Sequence, residues 1–195
     1  MAEGTGGSMW MPLAGKIIDA GLAKNVLLVS IGVGGSPIER WAPTGDLSQH
    51  LESNLELLNK LQIPVSMFLW HQGSSDIGKP ADAYLSHFLS INKTIRSKGY
   101  TSPVLVALHS RCSGYYDKGI EAAQKALAQR YQDGLFLGAN TNLLDESYRF
   151  DGCHLNANGQ EQAAQRHAAL LAAREVLDVR LPRRQAKRVG GDLEL

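Results

Sequence analysis

Cysteine is scarce: Cys112 and Cys153 are the two in 195 residues. That is too few for a disulfide-built scaffold, and they carry no zinc-finger spacing. An excess of one charge is also missing, since 20 Lys and Arg stand against 19 Asp and Glu for a net charge of +1. Nucleic acid and membrane surfaces call for a concentrated basic face, so neither is an expected partner and a small molecule is. No apolar run approaches the roughly 20 residues of a spanning helix, and the opening "MAEGTGGSMW" lacks the charged and apolar regions of a signal peptide. The chain reads as soluble, with nothing that assigns a compartment. A dinucleotide fingerprint is absent as well, because Pro37 in "SIGVGGSPIERW" stands where the third glycine of G-x-G-x-x-G belongs.

What is present is the composition of one globular domain, 44% hydrophobic and 20% charged. The domain is expected over residues 1–179, with 180–195 ("RLPRRQAKRVGGDLEL") a tail that has charge, Gly and Pro but no apolar period. Apolar runs bounded by turn residues at 25–33, 64–70, 103–110 and 134–139 predict buried strands. Between them, Leu47, Leu51, Leu55, Leu58 and Leu61 recur at helical spacing behind Asp46 as expected N-cap. Residues 80–98, 117–130 and 156–177 predict three further helices, the last presenting Ala164, Ala168 and Leu171 on one side. Alternating strands and helices imply an α/β fold with a parallel sheet covered on both faces.

In such sheets, chemistry gathers in the loops at the carboxyl ends of the strands. Three polar blocks fall there: "GVGGSPIERW", "WHQGSSD" and "HSRCSGYY", with "DGCHLNANGQ" beyond the fourth run. Asp151, three residues before His154, can reach its Nδ1 and leave Nε2 to take a proton. Gly34 and Gly35 let backbone N–H groups approach a developing oxyanion, or else form a plain tight turn. Gln72 can donate an amide hydrogen at the same place, and His71 beside it is a candidate for the same oxyanion or substrate-binding side, or else a hydrogen-bonded core or rim histidine. Trp41 and Trp70 read first as core, with sugar stacking as the alternative. Cys112 and Cys153 both flank loop ends, where a bridge could tie two loops together.

The three blocks "GVGGSPIERW", "WHQGSSD" and "DGCHLNANGQ", in this order, resemble the SGNH-hydrolase superfamily, in its sialate O-acetylesterase and acetylxylan-esterase-like branch. The resemblance covers about residues 6–172. It implies a flavodoxin-like three-layer α/β/α fold and removal of acetyl groups from carbohydrates by a Ser nucleophile, without metal or organic cofactor. Position by position, it puts the catalytic pair on Asp151 and His154, an oxyanion N–H on Gly34 of the Gly34–Gly35 pair, and the polar oxyanion-side residue on Gln72. Ser74 stands where the branch usually has Glu. The family's nucleophile block, of the G-D-S kind, closes a first strand upstream of the glycine block, and neither occurs before residue 26. Ser8 reads as a helix cap. Three readings follow: a carbohydrate O-acetylesterase-type domain missing its first, central strand and its serine; a non-catalytic carbohydrate-binding or interaction protein derived from one; and a hydrolase using Ser8 or Ser36 in a rearranged site. A missing central strand also implies an exposed sheet edge through which copies could associate.

Overall fold

The computed structural model describes residues 7–131 and 133–173. Residues 174–177 of the expected last helix and the tail expected at 180–195 lie outside the described residues. In chain order the elements are helices α1 (Trp10–Asp19) and α2 (Ser48–Lys60), strand β1 (Phe68–Trp70), α3 (Ala81–Ser97), β2 (Val104–Leu108), a hairpin of β3 (Arg111–Cys112) and β4 (Tyr115–Tyr116), α4 (Lys118–Ala126), β5 (Leu135–Asn140) and α5 (Ala157–Ala172). The main sheet is parallel, in the order β1-β2-β5.

Strand periodicity sorts the core into two faces. Val104 and Val106 of β2 pack with Leu51, Leu55, Tyr84, Phe88, Ile91 and Ile120, from α2, α3 and α4. Leu105, between them, packs with Leu13, Ala163, Ala164, Ala168 and Leu171, from α1 and α5. Phe68 and Trp70 of β1 join the first cluster, whereas Met67 and Leu69 join the second. Three layers result. All five residues of β2 are buried, as expected of a central parallel strand.

Two local expectations are corrected. Asp46 does not cap α2, which begins at Ser48 after Leu47; the Asp46 carboxylate instead receives Arg40 Nε at 2.9 Å and Nη2 at 2.7 Å. A two-pronged guanidinium contact outcompetes a single backbone N–H for the same oxygens. The apolar run at 25–33 does not form a strand over 25–32, and Leu27 and Val29 are 69% and 48% exposed. A strand needs a hydrogen-bonding neighbour, and β1, the end of the described sheet, does not pair with this segment.

Candidate active site

The loop between β5 and α5 shapes the Asp151–His154 pair. Asp151 Oδ1 accepts the backbone N–H groups of Cys153 (2.9 Å) and His154 (2.7 Å), which folds the loop around its own side chain. Oδ2 then meets His154 Nδ1 at 2.6 Å. That contact, followed by the two backbone N–H groups, holds the Asp151 carboxyl far below the usual carboxylate range. With a carboxylate as acceptor, the Nδ1 proton is fixed and the Nε2 lone pair faces outward. The His154 side chain is 65% exposed, and among the described residues its Nε2 has no hydrogen-bond partner.

The loop is fastened from two sides. Cys112 and Cys153 form a disulfide, with Cα atoms 4.1 Å apart, that joins the β3–β4 hairpin to the His154 loop; Ser113 N–H donates to Gly152 O at 2.7 Å beside it. Arg149, buried, donates from Nε to Leu144 O at 3.2 Å and from Nη1 to Cys153 O. A buried guanidinium spends its donors on carbonyls that loop geometry would otherwise leave unpaired.

The glycine loop and the "WHQGSSD" block form one bonded unit. Gly34 and Gly35 are exposed, and Gly35 has φ +67°, a left-handed conformation that glycine adopts without strain. Ser36 is buried, its Oγ donating to Val33 O and accepting from Trp41 Nε1. Asp76, with no exposed surface, accepts Ile38 N–H on both oxygens (3.2 and 3.0 Å) and lies 3.5 Å from Lys79 Nζ. Gln72 Nε2 donates to Ser36 O at 3.2 Å and to Asp76 Oδ2, so one amide hydrogen is spent on the glycine loop and the other on Asp76. Its Oε1 is buried without a partner among the described residues.

His71, half-buried, belongs to a histidine cluster rather than standing alone on the rim. Its Nε2 lies 3.1 Å from Thr141 Oγ1, and His109 Nδ1 lies 3.2 Å from the same oxygen, which itself donates to Leu108 O at 3.0 Å. One hydroxyl has one proton, so all three contacts are satisfied together when both imidazoles donate. The two rings stack at 4.0 Å. Burial pushes His71 well below its ordinary value, with His109 adding to it; burial and Arg149 push His109 down to about 3. Arg149 Nη2 approaches Thr141 O at 3.4 Å, which links this cluster to the His154 loop.

Ser8 Oγ accepts Trp10 N–H at 3.1 Å, at the start of α1, and Ser74 and Ser75 lie in a short 3-10 turn, Ser74–Asp76. Trp41 is 5% exposed and Trp70 half-buried, and both rings pack in the core. Sequence reasoning missed Asp76, His109, Thr141 and Arg149. Asp76 and His109 stood within blocks singled out at strand ends, but which partners they would meet is a matter of tertiary structure.

A profile of the family described as carbohydrate esterase, sialic acid-specific acetylesterase, matches residues 3–173. No curated protein matches the chain. Among solved structures, the fold is similar to that of an Arabidopsis thaliana protein, with 17% identity and a TM-score of 0.67 over 88% of this chain and 70% of that one. It is also similar to an acetyl esterase solved as a serine-to-alanine variant with an acetate ion, at 15% identity and TM-score 0.66, covering 89% and 93% of the two chains. A carbohydrate esterase family 3 protein from Talaromyces cellulolyticus has 15% identity and TM-score 0.64 over the same shares, 89% and 93%. At these identities the likeness concerns the fold, a three-layer α/β/α arrangement around a parallel sheet. With most of its length matched by the family profile and its layers those of SGNH-type esterases, the chain belongs to the sialic acid-specific acetylesterase family of carbohydrate esterases.

Proposed function

We propose that this domain binds O-acetylated sugars of the sialic acid type and holds the base, the carboxylate and the oxyanion side of a serine esterase, with the attacking hydroxyl coming from a serine that is not seated against His154 among the described residues. The observation that carries the reading is the Asp151–His154 pair, closed at 2.6 Å with Nε2 facing outward. His154 Nε2 takes the proton of that hydroxyl as its oxygen attacks the acetyl carbonyl carbon. Asp151 stays ionised and compensates the imidazolium. The carbonyl oxygen, now negative, lies toward the backbone N–H groups of Gly34 and Gly35, while Gln72 and Asp76 hold that loop in place; Gln72 donates to the oxyanion itself only by giving up Ser36 O. The C–O bond to the sugar then breaks and the sugar oxygen takes the proton from His154. Water, deprotonated by His154, releases acetate from the serine in the second half.

The open Nε2 favours one further reading, binding without turnover. Both are tested by titrating the chain with an O-acetylated N-acetylneuraminic acid and its unacetylated parent, and by following p-nitrophenyl acetate hydrolysis beside a His154→Ala variant. The expected result is preferential binding of the acetylated sugar and hydrolysis no faster than in His154→Ala. Equal binding of the two sugars would sink the esterase-derived site. Turnover that disappears in both His154→Ala and Ser8→Ala would make Ser8 the nucleophile.

A further inference from the structure

One aromatic ring lies against His154 and a second stands on the hairpin that the disulfide ties to its loop, both with much of their surface in water. Phe150 is 59% exposed and Tyr115 is 55% exposed. The Phe150 ring lies nearly parallel to the His154 imidazole, with centroids 5.8 Å apart and an interplanar angle of 21°. Its backbone N–H donates to His154 O at 3.0 Å, so the ring and the base share one rigid piece of chain. Tyr115 sits opposite Cys112 in the β3–β4 ladder, and Cys112 is bonded to Cys153, the neighbour of His154. Residues directly opposite in an antiparallel pair point to the same face of the ladder, with Cβ atoms about 5 Å apart. Tyr115 therefore borders the disulfide that anchors the His154 loop.

Leaving apolar rings in water forfeits the gain of burying them. Here the forfeiture occurs in a segment pinned by a disulfide, by Ser113 N–H on Gly152 O and by the buried Arg149. Rings on a backbone already held leave only side-chain freedom to be lost when a ligand covers them. A pyranose ring suits such a surface, since its C–H groups make an apolar face and its hydroxyls project from the edge into water. The two tryptophans that could have served this purpose are packed in the core.

We propose that Phe150 and Tyr115 form an aromatic platform that stacks the sugar ring of the acetylated substrate and brings its ester toward His154 Nε2. The assignment rests on the esterase reading above and names the part of the surface that recognises the sugar. Neither residue moves a proton; both position the substrate.

The test is an NMR titration of the intact chain with an O-acetylated N-acetylneuraminic acid and, separately, with its unacetylated parent. Shifts are expected at Phe150, Tyr115 and His154. Phe150→Ala and Tyr115→Ala should each weaken binding about threefold to tenfold, the range of a lost aromatic contact, whereas Phe150→Trp and Tyr115→Phe should retain it. Both positions are exposed, so the alanine variants should keep the dispersed spectrum of the folded chain. If both alanine variants bind as tightly as the unmodified chain, or if the shifts fall elsewhere, the platform is overturned. Absence of binding by either sugar overturns it too, as does a dimer that Phe150→Ala dissolves, since a second copy then covers the rings. Equal binding of the acetylated and unacetylated sugars, weakened by the alanine variants, supports the platform and counts against the esterase reading instead.

Discussion

Asp151 and Gly73 show how much of this site rests on single residues. The Asp151 carboxyl titrates far below its unfolded value, so its contribution is present above the ordinary aspartate range and is lost only as pH falls through the lowered folded value. The loop therefore keeps its shape through mildly acidic conditions. Gly73 has φ +148°, and a Cβ there would run into His109 O and Gln124 Nε2. Gln124 is the buried stitch between two strand ends, donating to Gln72 O at 2.9 Å and to His109 O at 3.2 Å while accepting His109 N–H at 3.0 Å. Gly73→Ala should cost roughly 2–4 kcal/mol, from backbone strain and overpacking. Gly35→Ala, at φ +67° with nothing within 4 Å, should cost about 1 kcal/mol. Urea unfolding of both variants checks this; equal losses would show that the strand-end packing at Gly73 gives way freely.

At the scale of elements, the ends of β1, β2 and β5 meet in a stack of neutral imidazoles. His71 follows β1, His109 follows β2 and Thr141, which binds both, follows β5. His167 of α5 lies 6.4 Å from His71, donates from Nδ1 to Ala163 O and is also lowered by burial. All three have folded values below the unfolded one, so their contribution is complete above about pH 6.5. Below it the unfolded chain takes up protons that the folded chain refuses, and stability falls until the folded groups titrate, near 3 for His109. Each group adds a slope of up to about 1.4 kcal/mol per pH unit. His109→Asn keeps a donor toward Thr141 but removes one titrating group. Between pH 6 and 5 its stability should fall less steeply than that of the unmodified chain, by about 1 kcal/mol per pH unit. Denaturation at the two pH values provides the comparison, and coincident slopes would mean that His109 is protonated in the folded state.

At the scale of the whole molecule, the layers are unequal in completeness. β2 is paired on both sides and wholly buried, whereas β1 is three residues long, half-buried and paired with β2 alone in the described sheet. The segment 25–32 forms no strand and carries the exposed Leu27 and Val29. An unpaired strand edge in a molecule that also exposes apolar side chains favours association with another strand. The chain is expected to associate in a concentration-dependent way in sedimentation velocity, and the double substitution Leu27→Lys with Val29→Lys should suppress this. Both side chains are largely in solvent, so the stability change should stay within about 0.5 kcal/mol. A monomer at every concentration in the unmodified chain would refute the edge argument.

Local chemistry by itself determined several of the elements and the closeness of Asp151 and His154. Helical spacing placed Leu51, Leu55 and Leu58 on the buried face of α2, and continuous apolar runs located β2 and β5 to within a few residues, β2 most plainly because it is buried on both faces. The Asp151–His154 pair was legible because both residues lie in one turn, where three residues of spacing suffice to bring Oδ2 to Nδ1. Cys112 and Cys153 could be placed near each other by the convergence of loops at one end of a parallel sheet. Only the tertiary structure decided whether the run at 25–33 became a strand, since apolar composition does not supply a neighbour to bond with. It alone also turned Asp76 into the anchor of the glycine loop and joined His71 to His109 through Thr141, contacts made between residues 38 and 70 positions apart. Such pairings depend on where distant strand ends come to rest, and no short-range pattern encodes that.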